Sequence, residues 1–160
     1  MFKIWKIIPP SEYKSLVDCI KDLKKNKVNI SPWIEDIVKN KRNKLIISRK
    51  KAILYRVKVK ELGFKKPTEL KEIYKKIKKN NFNLVSLDIA LRARVYYKEQ
   101  KKGEWLRFAT AHNSLIDRDG VPHLPKLGKA LGQLFIETYW SYPKAIFHPR
   151  NEFVVMKNDL

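Results

Sequence analysis

The chain of 160 residues has a single cysteine, Cys19, only five glycines and only 16 acidic side chains. One cysteine excludes an internal disulfide framework and fits a reducing compartment, which predicts a cytoplasmic location. With three separated histidines and no C-x₂-C or H-E-x-x-H spacing, no metal site is expected. Asp117-x-Asp119-Gly120 has the look of a calcium-loop fragment, but the third acidic position and the closing Glu are missing, so it reads as a β-turn. There is no P-loop, no G-x-G-x-x-G and no G-x-S-x-G, which argues against kinase, dinucleotide-binding and hydrolase classes, and no cofactor is implied. No run approaches 18 apolar residues, so no transmembrane segment is expected, and Met1–Pro10 lacks the apolar core and cleavage site of a signal peptide.

The shortage of acid is the informative absence. Against 36 Lys and Arg it leaves a formal charge of +20 and a pI of about 10.0. The excess is uneven: residues 1–40 carry +3, residues 41–110 carry +16 and residues 111–160 carry +1, and Lys41–Lys60 holds nine basic residues and no acid. Localised charge is what a polyanion-binding face produces, although solvated lysines on exposed helix faces give the same count. The preference for Lys over Arg fits an AT-rich genome; the asymmetry does not follow from codon bias.

At 44% hydrophobic and 11% aromatic the chain can build a core, and its length suggests one domain, residues 1–160. Within it we distinguish a helical portion 1–40, a basic region 41–110 and a β-rich part 111–160. Phe2–Ile8 alternates loosely, like an edge strand, and Pro9-Pro10 ends it. Ser11 reads as the cap of a helix reaching about Lys25, and Ser31-Pro32 starts a second, short helix. Ile53–Lys60 alternates as a strand with a mainly basic outer face. Thr68 is placed to cap a helix through Ile77, and Ser86 another from Leu87 to about Tyr97. Beyond Gly103, strands are expected at Glu104–Thr110, Gln133–Trp140 and Glu152–Met156, with Ser141–Asn151 as a loop rich in Pro and aromatics.

Two helices, a short polar turn and a following hairpin outline a helix-turn-helix with a wing. In that reading Lys41, Arg42, Lys44, Arg49, Lys50, Lys51, Lys58, Lys75, Lys78 and Lys79 hold phosphates. Arg92 and Arg94 approach the groove, and Lys101, Lys102 and Arg107 lie near the wing. Two helices joined by a turn also occur in many folds, and Asp88 with Arg92 makes an i,i+4 pair. A second cue is aromatic–basic interleaving: Tyr96-Tyr97-Lys98, Trp105 with Arg107 and Phe108, and Tyr139-Trp140 with Tyr142 and Lys144. Exposed on a sheet, such rings stack unpaired bases; buried, they are simply core.

His112, His123 and His148 all fall in the C-terminal third, on or beside predicted loops. Brought together with Arg94, Tyr97 or Lys126 they would suit a metal-independent, toxin-like endoribonuclease, with His as general base or acid and Arg or Lys for the developing charge. Nothing in their spacing brings them together. Two-carboxylate nuclease chemistry would have to draw on Glu61, Glu69, Glu72, Asp88, Glu99 and Glu104, the only acids of the basic region.

Gly103-Glu104-Trp105-Leu106, Ile116 to Pro122, and Pro149 before Phe153-Val154-Val155 resemble a set of small uncharacterised bacterial proteins. The similarity extends through Glu61-Leu62-Gly63-Phe64 and Glu72-Ile73-Tyr74. The matching positions are turn and core types, so the resemblance implies a folded bacterial unit and no activity.

The expected fold is α+β: N-terminal helices, a helix-turn-helix-like pair, then a small, mostly antiparallel sheet. The expected function is nucleic-acid binding, DNA or RNA, without catalysis. The alternatives are the endoribonuclease and an interaction module for an acidic protein or anionic surface, with Ser141–Asn151 as its contact.

Overall fold

A computed structural model describes residues 2–157. The chain runs through β1 (Ile4–Ile8), α1 (Leu16–Lys25), β2 (Asn29–Ile30), α2 (Pro32–Lys39), β3 (Ala52–Lys58), a 3-10 turn (Val59–Leu62), β4 (Thr68–Glu69), α3 (Leu70–Lys79), α4 (Leu87–Tyr96), β5 (Trp105–Phe108), β6 (His123–Ala130), β7 (Gln133–Trp140), β8 (Ile146–Phe147) and β9 (Glu152–Lys157). Seven strands form one sheet in the order β1-β3-β9-β5-β6-β7-β2, and β4 pairs with β8 separately. Neighbours in the large sheet are antiparallel except β5 with β9 and β2 with β7. The fold is α+β, with a mostly antiparallel sheet larger than the sequence suggests.

Successive side chains of a strand point to opposite faces. β3 and β9 sit inside the sheet and are apolar on both faces, so the sheet separates two cores. Leu54 and Val154, with Leu106, Leu127 and Ile136, pack against α1, α2 and α4. Ile53, Tyr55, Val57, Phe153 and Val155 pack against Leu70, Ile73, Tyr74 and Ile77 of α3. Each fully buried aliphatic chain contributes roughly 1.5–3 kcal/mol.

Several local expectations hold. β1 is the edge strand. Ser31 caps α2 at the Trp33 amide with Pro32 in the first turn, and Ser86 caps α4 at the Ile89 amide. Others are corrected. The cap of α1 is Ser15, whose hydroxyl accepts from the Asp18 amide at 3.1 Å; Ser11 instead shapes the turn before it. Glu69, not Thr68, stands at the start of α3. β3 has no basic outer face: Leu54 is fully buried under the helices, and Arg56 is bound by Glu104 and Glu152.

The helix pair is also different. α3 and α4 belong to the two separate cores, so the sheet lies between them and they do not make the two arms of a groove-reading unit. The physical reason is in α4, where Arg92 and Arg94 are 2% and 1% exposed. Arg92 pairs with Asp88 at 3.0 Å and donates to the Pro9 carbonyl. Arg94 donates to the Gln100 side chain at 2.7 Å and to the carbonyls of Gly128, Phe135 and Tyr97. Burial pulls the Arg94 guanidinium down to about 10. These arginines hold α4 to the sheet and the N-terminal loop.

Candidate functional site

The predicted phosphate-holding residues do not share one surface. Lys41, Arg42, Lys44, Arg49, Lys50 and Lys51 lie on an exposed strap between α2 and β3, whose Leu45 and Ile47 pack on the α1–α4 core. Arg49 is committed to the Ser11 and Tyr13 carbonyls, 2.8 Å from each. Lys75, Lys78 and Lys79 are exposed on α3, beyond the other face of the sheet, with Lys75 beside Glu72 at 3.3 Å. Lys101 and Lys102 are exposed in the turn before β5, and Lys58 is half-buried at the end of β3. The middle segment's charge therefore surrounds the molecule.

The sheet face on the α3 side is different over β5, β6 and β7. Parity places Trp105, Arg107, Lys126, Phe135, Glu137 and Tyr139 there, all half-buried. Lys126 Nζ lies 4.9 Å from the Trp105 ring centroid and 5.6 Å from that of Tyr139. The Arg107 guanidinium lies 5.5 Å from Tyr139 and 5.7 Å from Phe147. Rings and cations thus alternate across the strands, Trp105, Lys126, Tyr139, Arg107, Phe147. Gly128 makes room for this ladder: a Cβ there would run into the Trp105 ring. The only nearby carboxylate paired with it is Glu137, 4.0 Å from Lys126 among the described residues.

Arg107 is the unusual member. Among the described residues no carboxylate or carbonyl accepts a hydrogen bond from it, and its buried Nε has no partner. Burial pulls its guanidinium below the ordinary value, with Tyr139 partly opposing. Lys126 is lowered too, by burial first and by Arg107 as well, against the pull of Glu137. A desolvated guanidinium without an acceptor is suited to an incoming anion, and the flanking rings to a flat group.

The histidines do not converge. His123 is buried: its Nε2 is 2.8 Å from Asp117 Oδ2, its Nδ1 2.9 Å from Thr138 Oγ1, and Trp33 stacks on its ring at 5.6 Å. The other Asp117 oxygen accepts from the amides of Asp119 and Val121, closing the expected turn. Burial would raise the Asp117 carboxyl, but these hydrogen bonds outweigh it and hold it below the ordinary range. His112 stacks on Tyr74 and its Nδ1 meets the Ser141 carbonyl at 2.8 Å. His148 is exposed and accepts from the Arg150 amide. Each ring has its own neighbours, so no shared acid–base pair is assembled from His112, His123 and His148. Among the described residues no group of three His, Cys, Asp or Glu is placed to hold a metal ion.

Within Ser141–Asn151, Ile146-Phe147 pairs with Thr68-Glu69, while Tyr142 and Ile146 remain exposed. Sequence reasoning noticed Trp105, Arg107 and Tyr139 but missed Lys126, Gly128 and Phe147 as their companions. β6 carries Pro125 and Gly128 and shows no strand alternation; β8 is only two residues long. Among the described residues no helix is long and apolar enough to cross a membrane. No protein-family model matches the chain, and neither a curated protein nor a solved structure was found to be similar to it.

Proposed function

We propose that this is a nucleic-acid-binding protein that takes an unpaired strand on the β5–β6–β7 face. The observation that carries the reading is Arg107, a half-buried guanidinium with no acceptor, set between Tyr139 and Phe147 in a ladder that continues through Lys126 to Trp105. A phosphate supplies the acceptor that Arg107 lacks, and unstacked bases find ring and guanidinium planes beside it. A duplex keeps its bases stacked and offers only phosphates, so the ladder favours single strands. The exposed lysines supply sequence-independent attraction. A cytoplasmic location belongs to the same proposal.

The test is fluorescence anisotropy with a labelled single-stranded RNA of about eight nucleotides at about 150 mM salt. Trp105→Ala and Arg107→Gln should each weaken binding by about tenfold, since a base–aromatic stack is worth about 1–3 kcal/mol. Gly128→Ala, which displaces the Trp105 ring, should act in the same direction. Far-UV circular dichroism of the variants separates lost binding from lost folding. Wild-type affinity in both folded Trp105 and Arg107 variants would overturn the reading.

A further inference from the structure

On the opposite face of the sheet a concave pocket of about 430 Å³ opens between the start of α2, the 117–121 turn and the far ends of β6 and β7. Its walls are Trp33 and Trp140, 43% and 59% exposed, with Val121, Thr138 and the buried His123; Tyr139 borders it along β7 with its ring turned to the α3 side. The size falls in the range of small-molecule sites, far above what a bare metal ion needs. In a protein of charge +20, no lysine or arginine lines this pocket; Asp117 and Asp119 both line it, with His123 bound to Asp117.

The hydrogen-bonding state of the lining narrows the ligand. Both Asp117 oxygens are occupied, by His123 on one side and by two amides on the other. The Thr138 hydroxyl is engaged with His123. Nearby Asp36 is taken by Arg118, through its backbone amide at 3.0 Å and its Nε at 3.4 Å. Of the pocket's two carboxylates, that of Asp119 has no hydrogen-bond or ion-pair partner among the described residues, and it is exposed at the turn. One free carboxylate and two indole rings form a poor seat for a primary ammonium or a guanidinium, whose remaining N–H donors would face the rings without partners. An anion is repelled. A methylated cation has positive charge, no donors to satisfy and an apolar surface that rings cover well.

We propose that the Trp33–Trp140 pocket binds a small quaternary ammonium cation, with Asp119 supplying the counter-charge. The buried Asp117–His123–Thr138 chain fixes the floor: it locks the turn carrying Asp119 to β7 and gives Trp33 a ring to lie against. Asn40 and Asn43 tie the same turn to the end of α2 through the Ile116 and Asp117 carbonyls. The pocket is thus shaped before any ligand arrives, which lowers the ordering cost of binding.

The probe is choline chloride, titrated at constant ionic strength into ¹⁵N-labelled protein while the indole N–H resonances of Trp33 and Trp140 are followed. Both should shift saturably. The neutral isostere 3,3-dimethylbutan-1-ol should bind about three- to thirtyfold more weakly, the span of a cation–π contribution. Asp119→Asn should weaken choline about two- to fivefold, as expected for an exposed charge pair, and Trp140→Ala should abolish the Trp33 shift. Phosphocholine should bind more weakly than choline, because its phosphate meets Asp119. Equal affinity for choline and the neutral alcohol, or no shift of either indole at about 50 mM choline, would overturn the proposal. Arg107→Gln lies on the other face and should leave choline binding intact, so failure here and failure of nucleic-acid binding are read separately.

Discussion

At the scale of single residues, the structure separates charges by what they can still bind. Arg92 and Arg94 are spent inside the molecule, whereas Arg107 is desolvated and unspent. Asp117 is a spent group of the opposite sign, and its contribution depends on pH. Its carboxyl is held low in the folded protein, so it binds protons less readily there than in the unfolded chain. It therefore stabilises the fold above the ordinary carboxyl value of about 3.9, and that stabilisation is lost as pH falls through the depressed folded value. Asp117→Asn should lower stability by about 1–3 kcal/mol near pH 6, the cost of leaving buried donors poorly paired. The gap from wild type should close as the pH is taken below 3.9. Urea unfolding over that range checks it; a gap independent of pH would show that the carboxylate charge is not what matters.

At the scale of elements, α4 explains why the groove-reading expectation failed. Leu87, Leu91 and the Ser86 cap were legible, and so were the bounds of the helix. What the sequence could not show is that the helix is buried nearly all round, with Asp88, Arg92 and Arg94 inside as well. A charged residue in a helix is normally solvated, and only partners distant in sequence, such as Pro9, Gly128 and Phe135, reverse that. β6 was illegible for a related reason. It pairs with β5 only over Lys126–Gly128, so Pro125 lies outside that ladder and is tolerated, and Gly128 is required by a ring on the neighbouring strand. By contrast β7, with its eight-residue run, and α2, with Ser31-Pro32, carry their signals locally. Arg94→Met discriminates the two roles directly. It leaves carbonyls of Gly128, Phe135 and Tyr97 short of a donor, and should cost about 3 kcal/mol in chemical denaturation. Nucleic-acid affinity of the folded variant should stay at the wild-type level; a groove contact would give the reverse.

At the scale of the whole molecule, the +20 charge is distributed over two faces with different reach. The α3 lysines stand on the same side of the sheet as the aromatic–basic ladder, and the strap lies on the other. A short strand on the ladder should sense the first group and not the second. Replacing Lys75, Lys78 and Lys79 together by Gln should flatten the salt dependence of binding a strand of about eight nucleotides. The slope should fall by up to about 2, at roughly 0.7 per phosphate contact on single strands. The same replacement of Lys41, Lys44 and Lys50 should leave the slope unchanged. Equal effects from both triplets would mean that the strand wraps the molecule instead of lying on one face.

The place of β9 has a consequence for how the sheet is closed. It follows every other strand in sequence, yet it sits in the middle of the sheet, between β3 and β5. Whatever pairs before β9 docks can therefore build only two half-sheets, β1-β3 and β5-β6-β7-β2, and not the whole sheet. Until Glu152–Lys157 slides into that slot, β3 and β5 each present an unpaired apolar edge. Both cores wait for the same strand, through Val154 on one side and Phe153 and Val155 on the other. The sheet is continuous only once β9 has paired with both neighbours, and the like charge of the chain disfavours association between molecules in which those edges are open.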